Sequence, residues 1–167
     1  MAEGAQGLTA LLRFPNLVGL KPGQILPKGR VTSATLRLKA INRGPSTDSL
    51  FKLYRSLKPW GEGKGYESVA QRGEATWKSA QQGSVPWELP GATGRTDRSA
   101  ELGNGPTVID KAWFITIDVT PFVQAWVNGE PNYGFIIVGQ GGPEYSVSSS
   151  DDKTAANRPL LTVTFTN

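Results

Sequence analysis

The nearest carboxylate pairs of the chain are Asp151 with Asp152 and Glu62 with Glu67. Paired acids can cleave a glycosidic bond, and carboxylate oxygens can hold calcium. Adjacent acids on a strand, however, point to opposite faces, and the Glu62–Glu67 pair sits in a stretch with no fixed separation, so both pairs read as turn or solvated-loop acids. Cysteine and histidine are absent from all 167 residues. That removes disulfides, thiolate zinc sites, the commonest metal ligand and the commonest general base. No oxyanion-hole motif, phosphate loop or activated nucleophile is visible, and GQGG at 139–142 reads as a hairpin turn. The expectation is a non-catalytic protein with no catalytic residue, no metal and no cofactor.

The indoles are the other chemically active groups. Trp60, Trp77 and Trp87 stand with Tyr66, Lys64 and Arg72 in a stretch at 58–110 that is rich in Gly, Ser, Gln, Thr and charge. Two readings compete: the rings tuck back and cap the core, or they face a partner or a glycan, where aromatic faces and arginines concentrate binding energy. Met1, Ala2 and Glu3 open a Gly-rich arm at 1–7 that would add contact area. The net charge of +4, from 18 basic and 14 acidic residues, is spread along the chain. It suits solubility or weak attraction to an acidic partner, and no nucleic acid is expected. No basic n-region with an apolar core opens the chain and no run approaches about 20 apolar residues, so neither export nor a membrane partner is expected.

Positioning these residues requires a scaffold. Twenty glycines and twelve prolines suit short strands joined by turns. Leu12 and Phe14 lie on one face of a strand ended by Pro15, and Ala34, Leu36, Leu38 and Ala40 alternate with Ser33, Thr35, Arg37 and Lys39 in a clear second strand. FKLYRS at 51–56 reads as its antiparallel partner. Trp113, Ile115, Ile117 and Val119 alternate in a central strand. TPFVQAWVNG then forms a short helix at about 120–128, with Thr120 as N-cap, Pro121 at the first helical position and Gly129 just past the end. Its Phe122 and Trp126 form an i,i+4 pair. Phe135 opens the next strand, and Leu161, Val163 and Phe165 alternate in the last. These residues, Trp113 and Trp126 included, are the expected core. The architecture expected is an all-β antiparallel β-sandwich of jelly-roll type with one short helix. It comprises the arm at 1–7 and a single domain at 8–167 with a long excursion at about 58–110.

Read in order, LLRF, SATLRLKA, PWGEG, ATW, IDVTPFVQAWVNGEPNYGFIIV, YSVSSSDD and RPLLTVTF resemble the DNRLRE family, also described as carbohydrate-binding module family 96. The most specific block is Asp118, Val119, Thr120, Val123, Trp126, Gly129, Asn132, Gly134 and Phe135. It is a fold signature and designates no binding residue. Against the family pattern, the opening strand is missing or replaced, and KGYESVAQRGE stretches the spacing between PWGEG and ATW. The resemblance implies an extracellular carbohydrate-binding module, in which Trp60, Trp77, Trp87 and Tyr66 with nearby Arg72 and Lys64 would form a platform for an acidic polysaccharide. The first expectation is instead a bacteriophage capsid decoration, or cement, protein. It would be a homotrimer on the virion surface whose partners are the major capsid protein or other virion subunits, since an extracellular-type fold reaches the outside of a cell without export in that way. A phage tail or fibre module is a close variant. In both virion readings Trp60, Tyr66, Arg72, Trp77, Trp87 and the arm would make the contacts.

Overall fold

Alternation of apolar and polar residues dictates the longest strand, and the computed structural model shows every second residue of it, Ala34, Leu36, Leu38 and Ala40, buried. The structure describes residues 9–42, 51–65, 68–102, 108–109, 113–139 and 146–166. In chain order the strands are β1 (Thr9–Leu12), β2 (Arg30–Asn42), β3 (Phe51–Arg55), β4 (Ser79–Gln81), β5 (Val85–Pro86), β6 (Val108–Ile109) and β7 (Phe114–Asp118). The helix α1 (Thr120–Val127) follows, then β8 (Phe135–Gly139), β9 (Ser146–Val147), a 3-10 turn (Ala155–Asn157) and β10 (Leu160–Thr166). The class is the expected one: all-β, with antiparallel sheets and one short helix, consistent with a sandwich.

The chain divides into two compact units, each discontinuous in sequence. The first comprises Met1–Arg13, Phe51–Glu101 and Pro131–Gln140. Its sheet runs β1-β8-β3, with Ala10 opposite Ile137 and Leu53 opposite the same residue on the other side. β8 is central, and Phe135, Ile136 and Ile137 are all buried. Gly134 precedes it with φ +83°, and a Cβ there would stand 2.3 Å from the Leu12 carbonyl oxygen, so the turn into β8 admits only glycine. Asn132 Oδ1 accepts the Gly134 N–H at 3.1 Å and shapes that turn. FKLYRS therefore pairs with β8 and not with β2 as expected. Leu53 and Tyr54 are both buried, so β3 shows no solvent face of the kind that period-two pairing presumed.

The second unit comprises Phe14–Leu50, Leu102–Glu130 and Gly141–Asn167. Its sheet runs β10-β2-β7-β6, and β9 adds to the far end of β2. The helix packs on β2 through buried Phe122, Val123, Trp126 and Val127. It starts at Thr120, one residue earlier than the sequence suggested, with Val119 at the cap position. Thr120 is instead spent on the sheet. Its hydroxyl accepts the Ala34 N–H at 2.8 Å and donates to Asp118 Oδ1 at 2.6 Å, and Asp118 Oδ1 also accepts the Thr120 N–H.

The expected core holds for Leu36, Leu38, Ile115, Ile117, Phe122, Trp126 and Phe135, all buried. Leu12, Phe14, Leu161, Val163 and Phe165 are half-buried. The last three lie on an edge strand, covered by a neighbour on one side. Trp113 is a correction. Its φ of +64° breaks the alternation before β7 begins, which turns the ring off the buried row and leaves it 42 % exposed.

Candidate functional site

The excursion is folded by main-chain hydrogen bonds between its turns, such as Gly61 N–H to the Ala80 carbonyl at 3.1 Å and Gln82 N–H to the Glu74 carbonyl at 2.8 Å, and carboxylates acting as main-chain acceptors complete it. Asp97 is fully buried. Its Oδ1 accepts the Glu88 N–H at 2.8 Å and lies 2.8 Å from Lys58 Nζ, while its Oδ2 accepts the N–H groups of Leu89 at 3.1 Å and Gly94 at 3.0 Å. Burial opposes ionisation of this carboxyl more than any other influence. The Glu88 N–H, the Lys58 ammonium and the Leu89 and Gly94 N–H groups together outweigh it and hold the group below the ordinary aspartate value. Lys58 Nζ also donates to the Pro86 carbonyl at 3.1 Å.

Two further acids repeat the device. Glu74, largely buried, accepts the Gln71 N–H at 2.7 Å and the Lys64 N–H at 3.1 Å, which depress its pKa. Glu88 Oε2 accepts both the N–H and the hydroxyl of Thr96, with the same effect. Carbonyls satisfy many of the segment's main-chain donors, and these charged acceptors satisfy further ones strongly.

This framework sets up an open cleft of about 410 Å3 in the first unit, of a size used for small ligands. Trp60, Trp77 and Trp87 line it with Thr9, Thr76 and Glu62. Trp60 and Trp87 belong to a buried cluster with Tyr54, Ala80, Ala92 and Ile136. Their indole N–H groups donate to the carbonyls of Tyr133 at 2.7 Å and Thr76 at 3.0 Å. Hydrogen-bonded and packed, these two form the wall of the cleft, in keeping with the tucked-in reading of the two weighed for them. Arg13 lies over the Trp60 ring at 5.2 Å from its centre.

Trp77 is the half-exposed indole of the three. It is held through Gly91, whose N–H donates to the Trp77 carbonyl at 2.7 Å. Gly91 has φ +74°, and a Cβ there would come 2.4 Å from the Trp77 ring. Ala92 follows in the same left-handed region, with φ +58°, and the pair turns the chain back along the cleft. Thr9 Oγ1 donates to the Gly91 carbonyl at 3.2 Å, tying β1 to that turn.

Arg72 is exposed and lines a neighbouring groove with Lys64, Gln71 and Glu74; Glu62 belongs to the lining of both. Tyr66, Glu67, Met1, Ala2 and Glu3 lie outside the described residues. Asp152 accepts the Thr154 N–H at 2.8 Å, and the Ser148 hydroxyl, ahead of that N–H, holds its carboxyl below the usual range, so it shapes a turn beside exposed Asp151. Among the described residues no group of three or more acids comes together as a metal cage would need. Sequence reasoning missed Asp97, Glu74 and Glu88. The signal that marks them is an acid within a run of Gly, Pro and Thr, where unpaired N–H groups accumulate.

Among the described residues that line the cleft, Glu62 is the single carboxylate. The site offers indole edges and faces, two threonines, open glycine backbone and one negative charge. Such a surface suits a flat, partly apolar ring bearing hydroxyls. No family model, curated protein or solved structure matches the chain.

Proposed function

We propose that the chain is a non-catalytic glycan-binding module and that the tryptophan cleft is its sugar site. The observation that supports this reading is the half-exposed Trp77 ring, buttressed by Gly91 in a cleft whose other indoles are fixed by hydrogen bonds. A fixed aromatic face stacks on a sugar ring at little entropic cost, and Glu62, Thr9 and Thr76 supply polar partners for its hydroxyls. Among the described residues the lining holds one carboxylate and no acid–base pair for hydrolysis, which favours binding without turnover. The DNRLRE-like blocks point the same way. The capsid-decoration reading loses two of its three tryptophan anchors to the core, and its arm lies outside the described residues.

The test is titration of the intact chain with neutral and with acidic polysaccharides by calorimetry and affinity electrophoresis. Saturable binding to at least one of them, reduced tenfold or more by Trp77→Ala without product release, supports the module. Absence of binding to every glycan, together with saturable binding to phage shells, would establish the decoration reading in its place.

A further inference from the structure

We propose that β10 is an association edge that pairs antiparallel with β10 of a second copy, about a two-fold axis at Val163. Among the described residues β10 pairs with β2 alone. The orientation of its free groups follows from β2. The Ala34 N–H donates to Thr120 Oγ1 and the Ala34 carbonyl accepts from the Val119 N–H, both at 2.8 Å, so both point away from β10. The residue opposite in an antiparallel pair then also turns its main-chain groups outward. That residue is Val163, and two positions back Leu161, opposite Leu36, does the same. Beyond the bulge between Thr164 and Phe165, the Val31 N–H donates to Gln124 Oε1 at 2.8 Å, so its opposite number Phe165 faces outward too. The free edge thus presents three N–H and three C=O groups, from Leu161, Val163 and Phe165.

This edge is complementary to itself. Antiparallel pairing centred on Val163 sets Leu161 opposite the partner's Phe165 and Val163 opposite the partner's Val163, and all six outward groups meet as hydrogen-bonded pairs. The half-buried apolar row then continues across the axis, while exposed Thr162 meets the partner's Thr164 on the other face. Such apolar and Thr–Thr cross-strand pairs stabilise a sheet, and a two-fold contact needs one patch that matches itself. Edges that avoid association carry lysine, proline or a short strand; Leu160–Thr166 has seven residues and no charge or proline. The inference is independent of the glycan reading.

The experiment measures mass in solution by light scattering and sedimentation of the intact chain from micromolar to hundreds of micromolar. The expected result is a reversible doubling of mass. Thr162→Lys/Thr164→Lys places like charges opposite each other across the axis and weakens the dimer tenfold or more. Thr162→Lys/Thr164→Glu places opposite charges there and restores it. Both positions are exposed, so the fold, checked by circular dichroism, is retained. A mass of one or three chains throughout, or a dimer indifferent to both double variants, would overturn the proposal.

Discussion

Lys58 Nζ stands 2.8 Å from Asp97 Oδ1, an ion pair in which the carboxylate is wholly buried and the lysine keeps 23 % of its side-chain exposure. It joins the exit of the β3 segment to the far end of the tryptophan-bearing excursion. Removing one member of such a pair costs far more than the pair itself contributes, because the other charge is left behind. Asp97→Asn also replaces one acceptor oxygen by an NH2 group, which then faces either the Leu89 and Gly94 N–H groups or the Glu88 N–H and the Lys58 ammonium. The expected loss is about 3 kcal/mol in urea unfolding, with a fall in Tm of roughly 6–12 °C. A loss below about 1 kcal/mol would show that Asp97 does not hold the loop.

Acid acts on the same group. The Asp97 pKa is lowered in the folded state, so its contribution is present above the unfolded value of about 3.9 and is lost as pH falls through the folded value. Glu74, Glu88 and Asp152 are displaced in the same direction. Thermal midpoints are expected to be flat near neutrality and to fall below the ordinary carboxylate range, less steeply in Asp97→Asn than in the parent. Equal slopes in the two proteins would contradict the assignment.

At Gly91 a single methyl group meets two obstacles, a left-handed backbone and the Trp77 ring. Gly91→Ala is expected to cost about 1–3 kcal/mol and to displace the ring, lowering glycan affinity in step with Trp77→Ala. Calorimetric unfolding and polysaccharide titration read the two effects separately. Unchanged affinity would mean that the position of Trp77 does not matter.

The wall tryptophans should respond differently. Trp87→Ala removes a buried ring and the donor to the Thr76 carbonyl, with an expected loss of about 3–5 kcal/mol. Trp77→Ala is expected to cost less than half of that. If the order of stabilities reverses, Trp77 is the core residue and the cleft has been misread.

How much of this is legible in the sequence depends on range. The period-two row of β2 and the buried face of α1 are visible because each is a local pattern that burial enforces directly. The partner of β3 is not visible, since pairing with β8 is decided about eighty residues downstream and no local signal encodes it. Trp113 misleads for a related reason: one left-handed residue ends the alternation, and an aromatic at a strand end gives no sign of it. The tryptophan cleft was half legible. Clustered indoles within a breaker-rich excursion flag a site, but which rings are wall and which is face depends on the carbonyls of Tyr133 and Thr76. Asp97 was illegible because an acid surrounded by turn residues looks solvated until the number of donors converging on it is known.

The reach of β2 bears on the order of synthesis. Its ladders are closed by β7, β9 and β10, and β1 in the other sheet waits for β8. A nascent chain emerging from the ribosome therefore exposes its longest strand unpaired until β7 has been added, and neither of the two larger sheets is complete before β8 ends at Gly139. Such non-local closure makes for slow folding and a long interval in which chaperones can engage β2.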